Sequence, residues 1–424
     1  MQVQVAKKLK TPSWLRILGP GLITGAADDD PSGIATYSQA GAAFGYAQLW
    51  TLTLCLPLMT AVQEAAARIG LVTGEGLAQV TARRYSKSVL YLVVALVVVA
   101  NTINIAADIA AVGASLQLLI PLPIPLLSVV FTLVVLVLEL WIGYHLYAKF
   151  LKVLALALLS YVATALMVHE PWGEILRATL VPQVQWNTAY LYVIVGILGT
   201  TISPYMFFWQ ASEEVEERQY ADAAHLARRT MRQLRVDNAV GMGISQVGSW
   251  FMMVTTATVL HAHGVTNIAT AADAAKALEP LVQTFPHAGT WAKVIFALGV
   301  VGMGLLGIPV LAGSASYAVS EALGWRTGLQ RTPREAPGFY GIIVLSVAIG
   351  LGVTLMGFDP MKSLVFAAVL NGVVAVPLVF LIGRIARDPE VMGKWASGRL
   401  SQVMLMATFV VMAVCALALF ASLL

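Results

Sequence analysis

The sequence predicts an all-α polytopic membrane protein of eleven helical spans, arranged as two five-helix halves and one extra helix. Three observations carry this prediction. Hydrophobic residues fill 58% of the 424 positions and charged residues only 11%, where a soluble domain is about a quarter charged. Apolar runs of about 20 residues, each long enough to cross a bilayer as a helix, recur along the whole length. Two of these runs, five spans apart, are interrupted at matching positions by Gly, Pro and polar residues. A transmembrane β-barrel would alternate in segments of about 10 residues, and that pattern is absent.

The spans fall at about 15–45, 47–72, 87–118, 123–144, 146–169, 188–218, 237–262, 289–320, 338–357, 361–385 and 401–423. Gly, Pro or charged residues separate most of them, as helix ends require. The chain 1–424 is expected to be one transmembrane domain, with one repeat over about 15–169, a second over about 188–385 and an extra helix over about 401–423. With a cytoplasmic N-terminus, only Arg177, Lys276, Lys293 and Lys362 of the 26 Lys and Arg residues fall outside. The positive-inside rule therefore orients the chain, and an odd number of spans puts the C-terminus outside. The basic opening MQVQVAKKLKTPSW is followed by no small-residue cleavage pattern, so no secretory signal is expected. Cys55 and Cys415 both lie within spans, and with no His nearby they predict neither a disulfide nor a metal site.

Span 1 reads RILGPGLITGAADDDPSGIATYSQAGAAFGY. Gly19, Pro20, Gly21 and Gly25 precede three consecutive carboxylates, and Pro31 and Gly33 follow them. Pro31 lacks a backbone donor and disfavours helix at Asp30, so the span breaks there, near mid-membrane. Span 6 reads AYLYVIVGILGTTISPYMFFWQASEEVEE, where Gly196, Gly199 and the run from Thr200 to Ser203 lead to Pro204. A broken helix opening each half is the pattern of inverted-repeat transporters, whose site lies where the breaks meet. Unwound backbone at that depth persists only when it lines a cavity or is buried in protein. Asp-Pro is also an ordinary helix start, with Asp as N-cap. A lone cap does not require three carboxylates, each costing about 2.5–3.5 kcal/mol to insert.

Asp30, with nearby freed carbonyls, makes an oxygen-rich site suited to a cation. Asn101, Asn104 and Asp108 in span 3 are spaced three and then four residues apart, which places them on one helix face. That stripe faces the bundle interior, as ionisable groups within membranes do. For the two asparagines, interhelical hydrogen bonding fits equally well. Asn371 in span 10 is either such a packing residue or part of the site. Oxygen donors without Cys or His favour Mg2+, Mn2+ or Ca2+ over Zn2+ or Cu+, and Ser203 occupies the second break where a soft ligand would otherwise sit. The six histidines map to loops or span ends, and His261 and His263 read as solvated. The run Glu213, Glu214, Glu216 and Glu217 reads as a solvated face at the end of span 6, able to enrich cations at the inner mouth.

These residues resemble the Nramp (natural resistance-associated macrophage protein) family of divalent-metal transporters over most of the chain. GPGLITGAADDDPSGIATYSQAGAAFGYAQLW is similar to the family's Gly-Pro-Gly opening, Asp-Pro-Gly-Asn motif and Gln-Ala-Gly stretch. QEAAARIGLVTGEGL, AADIAAVGAS and GTTISPYM resemble its motifs in spans 2, 3 and 6. The resemblance implies a LeuT-type fold with broken helices 1 and 6. It also implies metal coordination by Asp30, by a Met at position 203 and by the carbonyl at Thr200, and a proton route through a His and a Glu.

This chain departs from that pattern at informative places. The family's Asn is Gly33, its Met is Ser203, the His is Tyr205, the Glu after Asp108 is Ala111, and the span-10 Gln is Asn371. Losing Met and Asn leaves a wider, harder site, suited to an ion that keeps several waters, as Mg2+ does. Losing the proton-route residues argues against tight proton coupling. The pattern is similar to the Nramp-related magnesium transporters, a divergent branch of the family. The expectation is therefore a Mg2+ and Mn2+ carrier working by alternating access in the plasma (bacterial inner) membrane. Asp30 would be the principal ligand, assisted by carbonyls near Asp29 and Thr200, the Ser203 hydroxyl and the space at Gly33. Asp28, Asn101, Asn104, Asp108, Tyr205 and Asn371 would line a polar pathway, with Asp28 and Asp29 as walls of a wet cavity.

The ion is cargo, so no cofactor is expected. The partners are divalent ions and the bilayer, not nucleic acid, and a monomer suffices. The first alternative is a proton-coupled Mn2+ or Fe2+ symporter of the Nramp type. An organic-substrate symporter of the same fold is a weaker one, since three aspartates would repel a substrate carboxylate. An intramembrane aspartyl protease needs a carboxylate dyad, and no second Gly-rich Asp motif partners Asp30, so no enzyme is expected.

Overall fold

The computed structural model describes residues 20–141, 159–168, 171–220 and 231–423, and all regular structure among them is helical. The basic N-terminal run, the first part of span 5 with His145, Lys149 and Lys152, and also His169, His225, Arg228 and Arg229, lie outside the described residues. The helices are α1 (Pro20–Asp28), α2 (Pro31–Phe44), α3 (Leu49–Thr73), α4 (Leu77–Arg84), α5 (Lys87–Gln117), α6 (Ile124–Trp141), α7 (Leu159–Met167), α8 (Trp172–Leu180) and α9 (Thr188–Thr201). They continue with α10 (Pro204–Tyr220), α11 (Met231–Val259), α12 (Ala271–Ala275), α13 (Glu279–Val282), α14 (Ala288–Leu323), α15 (Pro337–Thr354), α16 (Pro360–Arg387), α17 (Pro389–Met392) and α18 (Arg399–Ser422).

Every expected span is met by a helix. α1 with α2 forms span 1, α9 with α10 forms span 6, and α7 is the described end of span 5. Among the described residues, eight helical runs are long and apolar enough to cross a membrane. One of them joins α2 to α3, because the single turn Gly45–Gln48 links them without an interruption. The short helices α4, α8, α12, α13 and α17 lie between spans and were not legible as periodic apolar runs.

The broken helices sit inside the bundle. α1 and α2 pack along α11, α9 packs along α16, and α5 is flanked by α14, α15 and α16. α18 lies at the periphery, where Leu400, Val403, Met406, Val410, Val414 and Leu417 are exposed. An apolar outer face of this kind is solvated by lipid tails rather than water.

One side of the bundle is basic and heavily cross-linked. Arg84 of α4 pairs with Asp388 at 2.8 Å and with Glu390 at 2.6 Å. Arg68 of α3 is 2% exposed, pairs with Glu64 at 3.2 Å, and donates to the Trp395 carbonyl and the Ser397 hydroxyl. Arg235 reaches the same Glu64 at 3.0 Å. The opposite side carries α8 and α12. There the Gln39 side chain ties α2 to the Thr266 carbonyl and the Ile268 amide. On that side His263 is exposed and His261 is half-buried, with its Nδ1 2.8 Å from the Ala42 carbonyl.

The second break depends on a close helix crossing. A Cβ on Gly199 would overlap the Ala368 carbonyl and the Gly372 amide of α16. Only glycine lets the two backbones approach this closely, as at other small-residue membrane crossings. Gly199→Leu is therefore expected to displace Thr200, lower thermal stability by about 3 kcal/mol or less through overpacking, and reduce transport. A thermal-shift assay on the detergent-solubilised protein reads the first effect, and unchanged melting would contradict the crossing.

Candidate metal site

Both interruptions fall at the predicted positions. α1 ends at Asp28, Asp30 is extended at φ −60°, ψ 172°, and α2 begins at Pro31. Asp30 caps α2: its Oδ1 accepts the Gly33 amide at 2.9 Å and the Ser32 hydroxyl at 2.6 Å. Capping uses one oxygen only. The other, Oδ2, accepts the Tyr205 hydroxyl at 3.2 Å. Tyr205 stands just past the second break, so a side chain from one interruption reaches the carboxylate of the other. The N-cap and the ligand readings of Asp30 are thus compatible.

Thr200 lies in the last turn of α9, and its Oγ1 is buried without a hydrogen-bond partner. A Cβ on Gly33 would lie 3.1 Å from that Oγ1 and 3.4 Å from the Asp28 carbonyl. Gly33 therefore opens no space of its own: even a Cβ would crowd the Thr200 hydroxyl, so the widening expected at this position is not seen, and what glycine permits is the close approach of α2 to the end of α9. Ser203 donates to the carbonyls of Thr200 at 2.7 Å and Gly199 at 2.9 Å, which leaves its oxygen lone pairs available. Asp108 is fully buried and neither of its oxygens has a partner. A Cβ on Gly307 of α14 would sit 3.2 Å from Asp30 Cβ and 3.8 Å from Asp108 Oδ2. Gly307 thus stands against both the Asp30 side chain and the Asp108 carboxylate, and any larger residue at 307 would press on Asp30 Cβ.

The asparagines of the polar stripe also bridge helices, each with one buried polar atom left unpartnered. Asn101 donates to the Leu311 carbonyl at 2.9 Å, and Asn104 donates to the Asn371 side chain at 2.8 Å. Asn371 is thereby joined to the stripe predicted on span 3. Among the described residues no three His, Cys, Asp or Glu side chains converge as a metal cluster. The donors gathered at the breaks are carboxylate, hydroxyl and carbonyl oxygens, the set that hard cations prefer.

Two expectations need correction. Asp28 and Asp29 are not walls of a wet cavity: they are 0% and 5% exposed and are bonded to α11. Asp28 Oδ2 accepts the Ser245 hydroxyl at 2.8 Å, and Asp29 Oδ1 accepts the Ser249 hydroxyl at 2.8 Å. Ser245 and Ser249 were missed in the sequence, where the only sign was their spacing of four on a span. The acidic run after span 6 is not a solvated face, since Glu213, Glu214 and Glu216 are all buried. Glu216 accepts the Tyr317 hydroxyl and the amides of Leu329 and Gln330 at 2.8 and 3.2 Å. Glu321 of α14 does similar work for α4, whose own cap position Gly76 supplies no side chain. It accepts the Ala78 and Gln79 amides at 3.1 and 3.3 Å and the Ser212 hydroxyl at 2.7 Å. Carboxylates at these places satisfy orphan helix and loop donors and fasten α10 to its surroundings on the basic side.

The opposite side is open. A cavity of about 590 Å³ is lined by residues of α5, α6, α12, α15 and α16, including Gln117, Thr270, Thr354 and Asp359. It narrows to a pocket of about 10 Å³ against Pro31, Ile34 and Phe296, and the two share Ala114, Ala271 and Met361. The narrow part is the volume of roughly one water and ends against Pro31, the residue that follows Asp30 in the chain.

Comparison with known proteins establishes the family and the fold. The family profile described as natural resistance-associated macrophage protein-like, Nramp, matches residues 21–422. A protein named divalent metal cation transporter MntH from Chromohalobacter salexigens is 29% identical over 84% of this chain and 80% of its own length. Its namesake from Ralstonia nicotianae is 28% identical over 95% of this chain and 90% of its own. The crystal structure of the Eremococcus coleocola manganese transporter, bound to an aromatic bis-isothiourea compound, superposes with a TM-score of 0.74 at 18% identity, covering 97% of this chain and 88% of that one. MhsT in complex with L-phenylalanine gives a TM-score of 0.60 at 10% identity over 95% and 98% of the two chains. These likenesses show a LeuT-type fold. With the profile matching nearly end to end, this multi-pass integral membrane protein belongs to the Nramp family.

Proposed function

We propose that this protein carries a hard divalent cation, Mg2+ or Mn2+, across the plasma membrane by alternating access between two states of the broken helices. The observation that carries the reading is the Asp30 carboxylate, buried between the two breaks, with the unpartnered Thr200 hydroxyl packed against Gly33. Asp30 Oδ2, the carbonyls of Asp28, Asp29 and Thr200, and the oxygens of Thr200 and Ser203 would take the ion, partly through water. The names of the relatives, divalent metal cation transporter and manganese transporter, support the cargo class. Ser203 in place of a soft Met supports a hard ion.

The chain acts as one domain and a monomer suffices, with repeats over 15–169 and 188–385. The basic side faces the cytoplasm by the positive-inside rule, which puts the N-terminus inside and the C-terminus outside and opens the vestibule to the exterior. A dication entering a negative interior gains about 4.6 kcal/mol per 100 mV. Membrane potential is therefore sufficient to drive uptake, and Ala111 and Tyr205 favour transport without tight proton coupling.

A second reading, proton-coupled Mn2+ or Fe2+ symport, is favoured by one observation: Asp108 is buried, unpartnered and stands, like Asp30, against Gly307. Proteoliposomes decide between them. Mg2+ and Mn2+ influx should compete, with no acidification of the lumen that tracks metal entry. Metal-linked acidification would refute the uncoupled reading. Ser203→Met should shift the preference from Mg2+ towards Mn2+ by about tenfold, the effect of one soft donor worth roughly 1.4 kcal/mol.

A further inference from the structure

Asp28 and Asp29 are engaged away from Asp30, on α11. Asp28 is the last residue of α1. A carboxylate there meets the negative end of the helix dipole, the end that favours cations. Among the described residues neither Asp28 nor Asp29 pairs with Lys, Arg or His.

The hydroxyls nearby are too few for the oxygens they serve. The Ser245 hydroxyl lies 2.8 Å from Asp28 Oδ2 and 3.3 Å from Asp29 Oδ1, and it has one proton for both. The Ser249 hydroxyl lies 2.8 Å from Asp29 Oδ1 and 3.1 Å from the Ser245 carbonyl. Asp28 Oδ1 is buried and accepts nothing, although Asp28 is wholly inaccessible. Leaving such an oxygen unsatisfied in a low-dielectric interior is costly. Asp29, at 5% exposure, keeps a small opening to the cluster.

We propose that Asp28, Asp29, Ser245 and Ser249 form a second cation site, separate from the one at Asp30, which holds a hard oxygen-seeking cation while the transported ion occupies the first. Carboxylate and hydroxyl oxygens from two elements, with no nitrogen or sulfur donor, suit an alkali or alkaline-earth ion. On binding, the serine hydroxyls turn their lone pairs inward and the ion takes the place of the two shared protons' hydrogen bonds. The bound ion braces the end of α1 against α11. That brace favours the state seen here, in which α1 is packed along α11.

The test uses the full chain in lipid nanodiscs, titrated with Mg2+ by calorimetry and with Na+ by 23Na magnetic resonance. Two Mg2+ per chain, or one Mg2+ with saturable Na+ binding, is the expected result, and the two outcomes identify the ion. Ser245→Ala with Ser249→Ala should weaken the second ion about tenfold or more and move the first Mg2+ constant less than about twofold. Asp30→Asn should do the reverse. If the serine double variant is not monodisperse, the single variants Ser245→Ala and Ser249→Ala are read in its place. One Mg2+ per chain with no Na+ binding, or a second ion indifferent to these substitutions, overturns the site. Should Asp30→Asn leave all binding intact while the serine variant loses an ion, the reading of Asp30 fails and the second site stands.

Discussion

Asp30→Ala is expected to abolish Mg2+ and Mn2+ influx into proteoliposomes, a loss on the order of 100-fold or more, since even outer partners of metal ligands are worth 10–100-fold in affinity. The same carboxylate caps α2 through the Gly33 amide, so a loss of activity in the alanine variant alone would be ambiguous. Asp30→Asn separates the two roles. Asparagine caps helices as well as aspartate does, whereas alanine costs about 1 kcal/mol at this position. The asparagine variant should therefore melt like the parent and still fail to transport. The alanine variant should fail to transport and melt lower as well. Parental influx in Asp30→Asn would leave Asp30 a cap and nothing more.

The second large effect is expected on the basic side. Glu321→Ala removes the acceptor of the Ala78 and Gln79 amides and of the Ser212 hydroxyl. Hydrogen bonds to a charged acceptor are worth about 1.5–3 kcal/mol each. Even a partial loss of about 3 kcal/mol moves an equilibrium between closed and open inner ends by roughly 100-fold. Hydrogen exchange at Ala78 and Gln79 should accelerate accordingly. Glu321→Gln, which keeps one acceptor oxygen, should fall between the two. Exchange that stays slow in the alanine variant would show that α4 is held by something other than Glu321.

What was legible in the sequence is what local chemistry dictates. Pro31 and Pro204 lack a backbone donor and follow Gly and polar residues, and that combination placed both breaks, whereas Pro57, Pro309 and Pro377, set among apolar residues, are carried inside continuous helices. The spacing of Asn101, Asn104 and Asp108 fixed a common face without reference to any partner. What was not legible depends on contacts between distant segments. Nothing near Asp28 or Asp29 announces Ser245 and Ser249, more than 200 positions away. The run from Glu213 to Glu217 has the composition of a solvated face. It is buried because donors in distant loops, at Leu329 and Gln330, meet Glu216, and a single stretch of sequence carries no trace of that meeting. Glu321 was overlooked for the same reason, its role being to cap a helix that begins some 240 residues earlier.

The narrow pocket beside Pro31 has a consequence for the membrane itself. Its lining, which includes Pro31, Ile34, Ala35, Ala111, Phe296 and Leu364, is apolar apart from Ser115, and it holds about 10 Å³. Constrictions of this kind expel water and block ions by dewetting. On the proposed carrier reading, such a collar would block free passage of ions through this state. A cell could then keep many copies at rest without dissipating its membrane voltage, since on that reading charge would cross only when the collar widens around an ion.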